Sequence, residues 1–130
     1  MCGQGASAME THVLEQVDDA ALRAYVVWVP ILPDDGLPDR GNLALVSDPR
    51  ATHYWDKHGT LPPLFRRVLG LPEDWPAWDV YLAYAPGATW GDAPPSPRFW
   101  HHQLGDTLEA PVLDGPRFAT QLGQLLAKEG

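Results

Sequence analysis

The sequence is short of sulfur, of positive charge and of long apolar runs. Its one cysteine, Cys2, cannot close an internal disulfide, which excludes a disulfide-stapled secreted fold. Nine Lys and Arg against 17 Asp and Glu leave a formal charge of −8. A surface of that sign repels phosphate, so no nucleic-acid or anionic-membrane partner is expected. No apolar run approaches the roughly 18 residues that cross a bilayer. Met1–Glu10 has no basic flank followed by an apolar core, so no targeting signal is read and a cytoplasmic location is expected. Gly-x-Gly-x-x-Gly, the Walker pattern and His-Glu-x-x-His are all missing, and Ser7, Ser47 and Ser96 lack a nucleophile-elbow context.

What is present is one domain's worth of chain, 130 residues, with an ordinary apolar share. Fourteen Pro and twelve Gly make up a fifth of it, which implies long loops and few regular elements. Six Trp is heavy usage; apart from Trp28 they lie between residues 55 and 100, at Trp55, Trp75, Trp78, Trp90 and Trp100.

Apolar spacing predicts a helix over Gly5–Val17 on Met9, Val13, Leu14 and Val17. Leu22–Val29 is a nearly continuous β-branched and aromatic run, expected as a strand buried on both faces, and Pro30 closes it. Asn42–Val46 fits either a short helix or an extended piece. Ser47–Pro49 is a turn and Ala51–Trp55 a short strand. Thr60 can cap a helix carrying Leu61, Leu64, Phe65, Val68 and Leu69, ended by Gly70 and Pro72. Ala77–Tyr84 is a second strand, and the Ala85–Ala88 turn is expected to return the chain into a partner strand at Thr89–Trp90. Asp114 can cap the last helix, lined by Phe118, Leu122, Leu125 and Leu126. Strands alternating with helices imply an α/β sandwich with a partly parallel sheet.

Chemistry points first to Cys2. Cys2-Gly3-Gln4-Gly5 stands immediately before the first predicted helix, where unsatisfied N–H groups and the positive end of the macrodipole favour thiolate over thiol. The plainer alternative is a thiol on a frayed terminus. The five histidines are a rival. His53 and His58 flank Asp56, and His101-His102 follow downstream. Residues five apart do not share a helix face, however, and neighbours on a strand point to opposite sides. No metal is therefore expected; solvated or hydrogen-bonded imidazoles are. Trp75, Trp90 and Trp100 fall at strand ends and loops, where they either pack or form an aromatic binding surface. Trp28 and Trp78 are expected in the core, and Asp79 is expected to cap Trp90 or another donor.

Cys2-Gly3-Gln4-Gly5 opening a helix resembles the thioredoxin motif Cys-x-x-Cys, with Gly5 in place of the second cysteine. Pro76 opening a strand resembles the family's cis-proline, and the hairpin and closing helix follow in the family's order. Runs such as Tyr25–Pro30, Pro76–Tyr81 and Phe99–Leu104 are similar to those of uncharacterised bacterial thioredoxin-like proteins. The resemblance implies a single thioredoxin-like domain, with a central mixed sheet flanked by helices. It implies Cys2 as nucleophile, Gly3, Gln4 and Gly5 as the rest of its motif, Pro76 as the wall beside the sulfur, and Trp75 as backbone partner of an extended substrate. A single cysteine further implies monothiol exchange with a small thiol such as glutathione, as co-substrate, or with a protein thiol. No bound cofactor is implied. A binding module that has lost its chemistry is the alternative. The family also places a strand before its motif, where only Met1 stands here; either the sheet has rearranged or the start at Met1 is artificial.

Overall fold

A computed structural model describes residues 2–30, 38, 40–73, 75, 77–105 and 108–129, with side chains for all of these except 2–4 and 129. Along the chain run α1 (Cys2–Met9) with a π-helical turn (Glu10–Leu14), β1 (Ala24–Trp28), α2 (Arg40–Ala44), β2 (Ala51–Trp55), α3 (Leu61–Leu69), β3 (Val80–Ala83), β4 (Phe99–His102) and α4 (Gly115–Glu129). The class is mixed α/β, with helices and two two-stranded sheets. Contacts group the chain into two compact units, Met1–Thr60 and Leu61–Gly130.

In the first unit the helix starts at Cys2 and stops earlier than its apolar spacing predicts. Glu15 donates its N–H to the Glu10 carbonyl at 2.9 Å, and this wider turn ends the helix with Val13 and Leu14 buried. β1 and β2 pair in parallel, from Ala24 opposite Ala51 to Trp28 opposite Trp55. The strand expected at 22–29 is therefore present but narrower, and it is not buried on both faces. Ala24, Val26 and Trp28 are half-buried, whereas Tyr25 and Val27 point outward, and β2 alternates in the same way. Successive strand side chains leave on opposite faces, so a sheet covered on one side exposes every second residue whatever its polarity. The undecided stretch at 42–46 is helical through Ala44 and then buries Val46.

The second unit keeps its predicted helices. α3 closes where Gly70, at φ +69°, turns the chain, and Gly70 and Leu71 donate back to the Arg67 and Arg66 carbonyls. α4 starts on Asp114, whose Oδ1 accepts the Arg117 N–H at 3.1 Å. Phe118, Leu122 and Leu125 form its buried stripe. The turn at Ala85–Ala88 also forms, with Gly87 at φ +84° as its third residue.

The partner of β3 is not Thr89–Trp90. β3 pairs antiparallel with β4, Val80 opposite His102 and Ala83 opposite Phe99. The intervening segment holds Pro94, Pro95 and Pro97, which have no N–H to give a ladder, so pairing resumes only at the aromatic run beyond them. Trp78 precedes the strand rather than lying in it, and is half-buried.

Candidate functional site

Cys2, Gly3, Gln4 and Gly5 all lie in the first turn and a half of α1, and Gly5 is buried. The side chains of Cys2, Gly3 and Gln4 lie outside the described residues. Nothing acidic sits in the first turn of α1, so its dipole end meets no competing carboxylate of its own. Trp75 belongs to the second unit; it is half-buried and donates its N–H to the Pro72 carbonyl at 2.9 Å. Pro76 lies outside the described residues.

The other end of this helix is held by a cation. The Arg50 guanidinium donates to the Leu14, Val17 and Asp19 carbonyls at 2.6, 2.7 and 3.0 Å. The Leu14 carbonyl ends the helical segment, those of Val17 and Asp19 belong to the chain just beyond it, and a positive charge there also complements the macrodipole. Asp48 orients the guanidinium through Oδ1 and Oδ2 at 2.9 and 2.8 Å. The hydrogen bond from the Arg50 side chain, helped by the Arg50 backbone N–H, holds the Asp48 carboxyl down at about 2. Arg50 is pushed up in return, first by its side-chain hydrogen bond to Asp48. Glu10 Oε1 accepts the Ser47 and Asp48 N–H groups at 2.7 and 2.9 Å, which ties the π-helical turn to the loop carrying Asp48. Arg50 and Glu10 together therefore set where α1 lies within its unit, a role that no motif or spacing announces.

The histidines are used as hydrogen-bonding pegs. His53 accepts the Trp28 indole N–H at Nδ1, 2.9 Å away, and faces the Val46 carbonyl with Nε2 at 2.9 Å. His101 and His102 are fully buried, each with both ring nitrogens engaged. Among the described residues no group of three or more His, Cys, Asp or Glu is placed to hold a metal ion.

Two features of the aromatic residues differ from expectation. Asp79 sits at φ +50° ahead of β3, and the donor it meets across the β3–β4 pair is the Gln103 N–H, which its backbone carbonyl rather than its side chain accepts at 2.9 Å. Trp90 is 53% exposed and meets Phe65 edge-on instead. Among the described residues the most exposed of the large apolar side chains is one expected in a strand buried on both faces. Tyr25 is 67% exposed, and with Val27, Thr52 and Tyr54 it forms the outer face of the β1–β2 sheet, the two tyrosine rings 6.2 Å apart. On β1 that face carries only Tyr25 and Val27 and no polar residue, so no periodic signal marked it there. No described helix is long and apolar enough to cross a membrane.

Searches of family models, of curated proteins and of solved structures return no match to this chain.

Proposed function

We propose that the chain is a monothiol redox protein of thioredoxin-like fold in which Cys2 is the nucleophile. The observation that carries this reading is the position of Cys2 as first residue of α1, with no carboxylate in the turn that follows it. Backbone N–H groups at such a position favour the thiolate. The anchoring of the far end of that helix by Arg50 supports a fixed axis for its dipole. Support for the fold comes from the order of elements, strands alternating with helices and a closing helix, although β1–β2 and β3–β4 form two separate sheets among the described residues.

The chemistry needs two steps. The Cys2 thiolate attacks one sulfur of a disulfide, whose S–S bond breaks, and the bonding pair leaves with the departing thiolate. A second thiolate, from glutathione or a protein, then attacks the mixed disulfide at the sulfur not belonging to Cys2 and releases Cys2 as thiolate. With Gly5 where the family has its second cysteine, this second thiol comes from outside the chain. The roles of Pro76 and Trp75 as substrate contacts rest on the thioredoxin resemblance alone. The reading places the protein in the cytoplasm, with no cofactor bound.

Oxidised glutathione tests the exchange. The intact chain is expected to gain one glutathionyl group, seen by mass spectrometry, and to lose it to reduced glutathione; Cys2→Ser gains none. An unmodified wild-type chain would contradict the proposal. The second reading, a binding module without redox chemistry, is favoured by one observation, the open Tyr25–Val27–Tyr54 face on a parallel sheet. Parallel sheets are ordinarily covered on both sides.

A further inference from the structure

His101 and His102 occupy adjacent positions of β4, are 0% exposed, and lie at the centre of a small set of contacts that strand pairing alone does not make. The segment 110–114 wraps around them. His102 donates its N–H to the Pro111 carbonyl at 3.0 Å and accepts the Leu113 N–H at 2.7 Å, a parallel bridge to Val112. The rings then bind the same region. His102 Nε2 lies 2.8 Å from the Ala110 carbonyl, and its Nδ1 accepts the Leu104 N–H at 3.0 Å. His101 Nδ1 accepts the Asp114 N–H at 3.2 Å, and its Nε2 lies 2.7 Å from Gln121 Oε1 on α4.

The partners dictate the tautomers. A backbone N–H only donates, so each Nδ1 must be bare; the Ala110 carbonyl only accepts, so Nε2 of His102 must carry its hydrogen. Each ring is thus used as a neutral imidazole with Nε2–H. Adding a proton at Nδ1 sets N–H against N–H at Leu104 or Asp114 and buries a cation. The ionisable groups of the described residues around the pair are engaged as follows. Tyr81, opposite His101 on β3, donates its hydroxyl to Gln103. Asp114, at the head of α4, spends Oδ1 on the Arg117 N–H, with Arg117 itself one more positive charge nearby in sequence. Glu109 is exposed beside Ala110, Asp79 touches this region through its carbonyl, and Arg98 precedes β4. Among the described residues neither ring is bonded to a carboxylate.

We infer that the His101–His102 pair is an acid-released latch, which holds segment 110–114 and the head of α4 against β4 while both rings are neutral and lets them go when the rings are protonated. The sign follows from linkage. Histidine in an open chain takes up its proton near pH 6.5. The closed latch can do so only by giving up its bonds, so acid favours opening. Each linked ring multiplies the opening equilibrium by up to tenfold per pH unit below that point.

The test uses ¹⁵N-labelled full-length protein taken from pH 7.5 to 4.5. At neutral pH both rings are expected as Nε2–H tautomers. On acidification, the amides of Leu104, Leu113 and Asp114 should lose at least tenfold of their protection from hydrogen exchange as the rings take up protons. His102→Gln keeps an acceptor and a donor on a side chain that does not titrate, and should move the opening to lower pH. If that variant fails to fold, the wild-type titration decides. An Nδ1–H tautomer at neutral pH, rings that protonate with those amides still protected, or rings neutral and amides protected throughout would each overturn the latch.

Discussion

The two units solve the same problem with opposite chemistry. Each has a two-stranded sheet of short strands and a helix to hold near it, with too few aliphatic residues to do so by burial alone. The first unit uses a permanent charge: Arg50 gathers three carbonyls at the end of the α1 segment, and Asp48 fixes its orientation. The second uses neutral rings: His101 and His102 hold segment 110–114 and α4, packed against Phe99 and Phe118. A guanidinium keeps its charge at any ordinary pH, whereas an imidazole changes state within the physiological range. One unit is therefore built to ignore moderate acid and the other to respond to it.

Phe118 gives the largest expected break in this contrast. It is 2% exposed and meets Phe99 and His101 edge-on. Phe118→Ala should destabilise the second unit by about 4 kcal/mol, a cavity cost plus lost ring contacts. The check is amide exchange, with protection falling across β3 and β4. Arg50→Met should come next, at about 3 kcal/mol, because it takes the guanidinium from the Leu14 and Val17 carbonyls, leaves the Asp19 carbonyl only the Leu22 N–H, and leaves Asp48 without its cation. Its loss of protection should appear in the first unit, at the amides of residues 13–17 and β1.

Acid sharpens the comparison further. The Asp48 carboxyl is held at about 2, below its usual 3.8, by the Arg50 hydrogen bond. A lowered carboxylate contributes stability that is fully present above pH 3.8 and is lost as pH falls through about 2. Asp48→Asn should therefore remove acid sensitivity of the first unit in that window and leave the acid response of the second unit unchanged, as read by denaturant midpoints across pH. The smallest effect is expected at the open sheet face. Tyr25→Thr or Tyr54→Thr should change stability by no more than about 0.5 kcal/mol, since these rings already face water. A loss of several times that would mean the face is covered in solution.

What could be read from the sequence follows physical type. α3 and α4 were legible because apolar spacing, an N-terminal cap and a closing glycine agree, as at Asp114 and Gly70. The Ala85–Ala88 turn was legible for the same reason, since Pro86 and Gly87 fit its two inner positions. β4 was not: His101 and His102 are polar by type, and only their hydrogen bonds make burial affordable. Tyr25 and Val27 misled in the other direction, because a Tyr–Val alternation carries no sign of which face is wet. Arg50 sits in a turn among charged residues, and nothing in its neighbours tells that it reaches carbonyls 31 to 36 positions earlier. Cys2 was expected just before a helix over Gly5–Val17, whereas α1 takes Cys2 in as its first residue.

The proposal stands or falls on the state of that thiol. The rate of Cys2 alkylation by iodoacetamide, followed by mass spectrometry from pH 4 to 10, measures it directly. The account predicts a midpoint at least one unit below the ordinary thiol value of about 8.5. A midpoint at or above 8.5 would contradict it and leave the binding module as the reading of this chain.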